Sequence, residues 1–294
     1  MTSGDSQSAS DRVAGGPRTE ALRQRLVTFR QTHPYRERQV DGIPWRYLVS
    51  GQSRRPLLLP SGGTRLPDVY LLLFEALEPD FRIIAPAYPP VPTMAGLVSG
   101  VSAILDAEGI GAMDVLGSSF GGLVAQCVVR EHPARVRRLV LANTGVPGAS
   151  PIPGLGLLVP LLAHLPEGLV RRATGLNWRR WFKAPSEQQA FWLGLLDELL
   201  ATRLTKADLV SALAELLDYN RHYHFAPGDL AGWPGRILVI ESSRDEAFSP
   251  AARAALRAAY PQARVQTFAD RGHAVMVADP DRYVAVVRAF LDEP

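Results

Sequence analysis

The chain has 294 residues, 47% hydrophobic and 21% charged, which is enough apolar material for one large core or two small ones. Its formal charge is only +3, its basic residues are scattered among acids, and no basic stripe or recognised module argues for nucleic acid as a partner. Cys127 is the single cysteine, which excludes an intramolecular disulfide, and no run approaches the roughly 18 consecutive apolar residues of a membrane span.

In chain order, residues 1–18 are rich in Ser, Gly, Asp and Arg and carry too little apolar surface to offset the entropy of ordering, so a disordered tail is expected there. The first twenty residues also lack the apolar stretch of a secretory signal, which points to a soluble, cytoplasmic protein. An amphipathic stretch with Leu22, Leu26 and Phe29 follows. Asp41-Gly42 lies between two extended segments, and residues 45–49 alternate as a strand does, predicting an opening hairpin. Leu57-Leu58-Leu59 reads as a short buried strand, followed by the turn Ser61-Gly62-Gly63 and a helix through Leu71, Leu72, Leu73 and Leu77. Residues 81–85 form the next strand, ended by Pro86 and Pro89, and residues 94–105 repeat at helical spacing. Residues 113–116 are a strand feeding Gly117, residues 123–129 a helix closed by His132-Pro133, and residues 136–142 another buried strand.

Strands alternating with helices predict parallel βαβ units, hence an α/β fold with a doubly wound, mostly parallel sheet. The alternation stops at Gly145. Helical patterns alone fill residues 155–165, 169–176, 188–200 and 207–217. Strand character returns at 236–240 and 263–268, with helices at 250–260 and 280–291. The expected organisation is a core of residues 19–146 and 233–294 with a helical insertion over 147–232.

Gly117-Ser118-Ser119-Phe120-Gly121 matches G-x-S-x-G between an apolar strand and an apolar helix. That context suits a nucleophilic serine, because a sharp strand-to-helix turn pushes the hydroxyl out while the glycines let chain segments approach closely. Ser118 cannot take the role, since Leu116 and Phe120 would occupy its glycine positions. His273, in Arg271-Gly272-His273-Ala274, follows the last strand and precedes the final helix; an imidazole there can take the serine proton and return it. His33, His132, His164, His222 and His224 fit this position worse. Asp245, in the loop after residues 237–240, would accept the second imidazole N–H. Glu246 is adjacent and could substitute, whereas Asp270 lies on the wrong loop. The oxyanion needs two backbone donors: Phe120, after the nucleophile, and Gly63 from the early turn, with Gly62 as the other choice. No cluster of His, Cys and carboxylates has metal-ligand spacing, and no cofactor motif follows any strand.

With these residues in place, the chain resembles the α/β-hydrolase superfamily over residues 35–293. The elbow, Leu238-Val239-Ile240 with Asp245 five residues on, and Gly272-His273 with Asp279-Pro280 carry the match. The resemblance implies Ser119 as nucleophile, Asp245 as acid, His273 as base, and a helical lid over roughly 147–232. Residues 56–77, residues 81–89 with Tyr88-Pro89, and Tyr260-Pro261-Gln262-Ala263-Arg264 look most like the maspardin-like branch, whose animal members are regarded as binding proteins with an incomplete triad. The chain departs from the superfamily where Ser61-Gly62 replaces the usual His-Gly, and where residues 85–90 lack Asp-x-x-Gly. The insertion, with Trp178, Trp181, Trp192 and many leucines, implies an apolar pocket. The expected activity is a serine hydrolase cleaving an ester or thioester, or a C–C bond, of a small, largely apolar acyl substrate. A non-catalytic binding or adaptor protein on the same fold is the alternative.

Overall fold

A computed structural model describes residues 16–149 and 152–293. Most of the expected tail, residues 1–15, lies outside the described residues, but its end does not. Helix α1 (Pro17–Thr32) begins inside it, with Pro17 in the first turn, where a missing N–H costs nothing. α1 buries Leu22, Leu26 and Phe29 along one apolar stripe, and Thr19 in its first turn. The hairpin of β1 (Arg36–Val40) and β2 (Ile43–Ser50) turns at Asp41 and Gly42, both at positive φ (51° and 78°), the geometry that matches strand twist.

The alternating part runs β3 (Pro56–Leu58), α2 (Leu71–Leu77), β4 (Arg82–Ala87), α3 (Met94–Ala107), β5 (Met113–Ser118), α4 (Phe120–Glu131) and β6 (Val136–Ala142). β4 runs through Pro86 instead of ending there. β3 pairs with β4 only as far as Ile84, so Pro86 sits beyond that ladder and its missing N–H breaks no bond on that side. Four α-helices and one π-helical turn (Leu199–Arg203) then follow, with no strand among the described residues: α5 (Leu155–His164), α6 (Glu167–Trp181), α7 (Ser186–Glu198) and α8 (Lys206–His222). The helical part therefore ends ten residues before the expected limit. The segment after it returns over the core, where the Trp233 indole donates to the carbonyls of Pro133 (3.1 Å) and Val136 (2.9 Å). β7 (Arg236–Ser242), α9 (Pro250–Ala259), β8 (Arg264–Phe268), a short α10 (Val275–Ala278) and α11 (Pro280–Leu291) complete the chain.

The eight strands form one sheet in the order β1-β2-β4-β3-β5-β6-β7-β8. β3 to β8 are parallel, and β1 and β2 are added antiparallel at one edge. The sequence alternates apolar side chains between the two faces. Leu57, Leu116, Val140 and Leu238 enter one core with α1, α2, α7 and α11, while Leu58, Val115, Leu139 and Ile237 enter the other with α3, α4 and α9. Each such side chain, fully buried, contributes roughly 1.5–3 kcal/mol, so central strands covered on both faces make a stiff platform. The loops at the carboxyl ends of β3, β5, β7 and β8 share one edge of that sheet, and the candidate residues lie on them. No helix among the described residues is long and apolar enough to cross a membrane.

Candidate active site

Ser119 occupies the single position between β5 and α4, with φ 54° and ψ −126°. That backbone region is glycine territory, and holding a serine there costs on the order of 1–3 kcal/mol. The surroundings compel it. The Ser119 N–H donates to Ala142 O (2.9 Å), while its carbonyl accepts from Gly122 N (2.9 Å) and from the Thr144 hydroxyl (2.8 Å). A Cβ on Gly117 would lie 2.5 Å from Gly121 O, and one on Gly121 would lie 2.2 Å from Pro60 O. The turn thus requires glycine at both places because other backbone occupies the space. Gly121→Ala is therefore expected to displace Pro60 and the Ser61-Gly62-Gly63 turn, costing about 1–3 kcal/mol in urea denaturation and lowering turnover together.

His273 stands in the loop between β8 and α10, and its Nε2 is 2.8 Å from Ser119 Oγ. Its Nδ1 is 3.0 Å and 3.2 Å from the two oxygens of Asp245. Side chains 154 and 28 residues apart in the chain thus converge in one hydrogen-bonded line. The Asp245 carboxylate accepts further bonds from Ala247 N (2.8 Å), Phe248 N (3.0 Å) and Asn143 Nδ2 (2.9 Å). Burial alone would raise this carboxyl. The hydrogen bond and charge attraction of His273, with the bonds from Asn143 and Phe248, outweigh burial and hold it below the ordinary carboxylate range.

Glu246 does not face the ring. It accepts the His273 backbone N–H (3.0 Å) and pairs with Lys183, just beyond α6, so it pins the histidine loop to the helical insertion. Burial raises its carboxyl, but Lys183 and the backbone donors outweigh that and leave it lowered. Asp270 pairs with Arg244 at the surface, away from the imidazole.

At the early turn, the Gly62 amide faces the Tyr70 hydroxyl; burial pushes that hydroxyl's titration up and the amide opposes it. The Gly63 N–H has no hydrogen-bond partner among the described residues. Phe120 is the first residue of α4, where no preceding turn supplies an acceptor for its N–H. Gly62, Gly63, Ser119 and His273 all border one cavity of about 50 Å³. Trp178, Trp181 and Phe182 at the end of α6 wall it on the insertion side, and the Trp181 ring centroid is 5.8 Å from that of His273. The space is that of a few water molecules.

Two other serine–histidine contacts lack this layout. His33 gives Nε2 to both Ser50 (3.0 Å) and Glu78 (2.8 Å), while its Nδ1 meets the Phe29 carbonyl (3.0 Å), so no carboxylate orients a free nitrogen toward the serine. His132 meets Ser102 at 2.7 Å with no acid partner behind it among the described residues. Among those residues no group of three or more His, Cys, Asp or Glu could hold a metal ion. Cys127 is buried in α4, where desolvation pushes its thiol well up, away from reactivity.

The sequence profile of the alpha/beta hydrolase family matches residues 57–286. The chain belongs to that family. It is 26% identical over 195 residues to 2-hydroxymuconate semialdehyde hydrolase of Pseudomonas putida, covering 65% of this chain and 66% of that protein, just under two thirds of its length. It is also 26% identical to cis-3-alkyl-4-alkyloxetan-2-one decarboxylase of Xanthomonas campestris, covering 85% of this chain and 84% of that one. The crystal structure of a hydrolase from Pseudomonas aeruginosa PA01 superimposes with a TM-score of 0.74 at 23% identity, covering 88% of this chain and 99% of that one. The narrower resemblance to the maspardin-like branch draws no support from these matches.

In this alpha/beta hydrolase the candidate residues read from the sequence come together, and Asp245 rather than Glu246 meets the imidazole. Sequence reasoning passed over Asn143, which supports Asp245 from the end of β6 with φ 44°. The signal available was Asn143-Thr144-Gly145 directly after a buried strand, since Asn tolerates left-handed turns. It also passed over Phe248, whose ring flanks His273 at 5.8 Å, as does the Trp181 that the insertion's composition marks for the pocket. No local pattern marks an aromatic that becomes a neighbour only through tertiary folding.

Proposed function

We propose that this alpha/beta hydrolase is a serine hydrolase that cleaves an ester or thioester of a small, largely apolar acyl substrate through an acyl-enzyme. The observation that carries this reading is the continuous line from Ser119 Oγ to His273 Nε2 (2.8 Å) and from His273 Nδ1 to Asp245 (3.0 Å). In the proposed reaction Ser119 Oγ attacks the carbonyl carbon while its proton passes to His273 Nε2. The negative charge collects on the former carbonyl oxygen, facing the N–H groups of Phe120 and Gly63. The tetrahedral species collapses, the leaving alcohol or thiol takes the proton from Nε2, and the acyl group stays on Ser119. Water then attacks the acyl carbon, gives its proton to Nε2, and the acid departs as Ser119 recovers its hydrogen. Asp245 keeps the ring in the tautomer that leaves Nε2 free to accept, and stabilises the imidazolium.

Gly63 borders the cavity beside Ser119 and its N–H has no hydrogen-bond partner among the described residues, which supports it as the second donor. The aromatic wall of α6 supports an apolar acyl group. A fluorophosphonate probe tests the reading: one equivalent should attach to the wild-type chain at Ser119, and none to Ser119→Ala. Hydrolysis of p-nitrophenyl esters and acyl thioesters of increasing length then defines the acyl pocket. A folded protein that takes no label and hydrolyses none of the series would instead be a binding protein on this fold.

A further inference from the structure

Arg65 and Glu215 form the only ion pair among the described residues with both side chains at 0% exposure. The guanidinium meets the carboxylate through two bonds, Nη1 to Oε2 at 2.7 Å and Nη2 to Oε1 at 3.0 Å. Removing two charges from water is expensive, and apolar side chains of similar volume would hold this spot as well or better if cohesion were the only need. Burial raises the Glu215 carboxyl even against Arg65, a measure of that expense.

The placement of the pair explains its use. Arg65 lies two residues beyond Gly63, at φ 61°, in a left-handed conformation that a non-glycine residue adopts only when held. Its own N–H closes the turn on Gly62 O (2.8 Å), its carbonyl accepts from Tyr88 N (3.0 Å), and its Nη2 also donates to Pro89 O (2.6 Å). The residue that shapes the Gly62-Gly63 turn is thereby fastened to the loop after β4. Glu215 comes from the middle of α8, the last helix of the insertion. A planar, two-bond contact fixes direction as well as distance, which a packed leucine does not.

We propose that Arg65 is a positioning residue that aims the Gly63 amide at the reacting oxygen, and that Glu215 makes this aim depend on the seating of α8. The inserted helices and the oxyanion turn then move as one body, and the donor is correctly placed only while α8 is docked. The inference rests on the serine-hydrolase reading above.

The test uses the full chain with p-nitrophenyl butyrate as substrate, active sites counted by fluorophosphonate, and a trifluoromethyl ketone as oxyanion mimic. In Glu215→Gln, the near-isosteric variant, and in Glu215→Leu, kcat per titrated site should fall roughly 10- to 100-fold with KM within about twofold. Affinity for the ketone should fall by the same factor as kcat. The double variant Arg65→Met/Glu215→Leu should regain melting temperature, because no lone charge is left buried, without regaining kcat. Normal kcat per titrated site in Glu215→Gln, or recovery of kcat along with stability in the double variant, would overturn the proposal and leave the pair a purely structural tie. A wild-type chain that takes no label overturns the hydrolase reading itself, and this inference with it, so the two failures are distinguishable.

Discussion

Ser119→Ala is expected to lower kcat on an activated ester by roughly 10⁴- to 10⁶-fold, leaving only what binding and the oxyanion donors supply. Steady-state hydrolysis with enzyme concentration checked by absorbance measures it. A loss of less than tenfold would mean that another group performs the attack. The same site makes a second, opposite expectation for stability. Serine is held at φ 54° and ψ −126°, where glycine rests without penalty, so Ser119→Gly should be inactive yet more stable than wild type. A gain of about 1 kcal/mol in urea denaturation is the expected size. Ser119→Ala should show no such gain, because alanine carries the same Cβ into the same strained turn.

Asp245→Asn should cost about 10⁴-fold in kcat, the order expected when an imidazole loses the anion that sets its tautomer. The local hydrogen bonds allow the fold to survive the change. An amide oxygen at the Oδ1 position keeps the bonds from Ala247 N and Phe248 N. The new amide nitrogen then meets Asn143, whose Oδ1 is buried without a partner and can rotate to accept it. Circular dichroism should be unchanged while activity collapses. The acid limb of stability supplies an independent check. The Asp245 carboxyl is held below its ordinary range, so its stabilising contribution is full above about pH 4 and is lost as pH falls through the lower folded value. The gap in urea midpoint between wild type and Asp245→Asn should therefore close on acidification below about pH 4. A gap that stays constant would mean the charge of Asp245 contributes nothing to folding.

The parts of this molecule that were legible in sequence are those encoded locally. Buried strands such as β6 and β7 carry short apolar runs, residues 139–142 and 237–240, the hairpin turn is written as Asp41-Gly42, and the elbow needs its glycines within five residues. The insertion declared itself by the loss of strand alternation, and its four helices fall close to the helical patterns. Asp245 was readable as the acid from its place after β7, but Glu246 stayed open as a substitute, because adjacent acids differ only in which way each carboxylate points. The reach of α1 back to Pro17 was missed for a related reason: its first turn is polar, and it is held by contacts such as Thr19 Oγ1 to Glu187 O (2.9 Å), 168 residues away. The Arg65–Glu215 pair spans 150 residues and has no local signature at either end. Long-range polar partners of this kind are specified by the fold and then act on the site, so sequence patterns reveal the groups that react more readily than those that hold them in place.

The aromatic wall contributed by α6 carries a kinetic consequence. Trp178, Trp181 and Phe182 stand over the cavity that Ser119 borders, so in the proposed reaction an ester must displace these rings to reach the hydroxyl. Under that reaction the rings stay packed against whichever acyl group the serine carries, so their bulk, and not the reacting groups, sets how readily chains of different length enter.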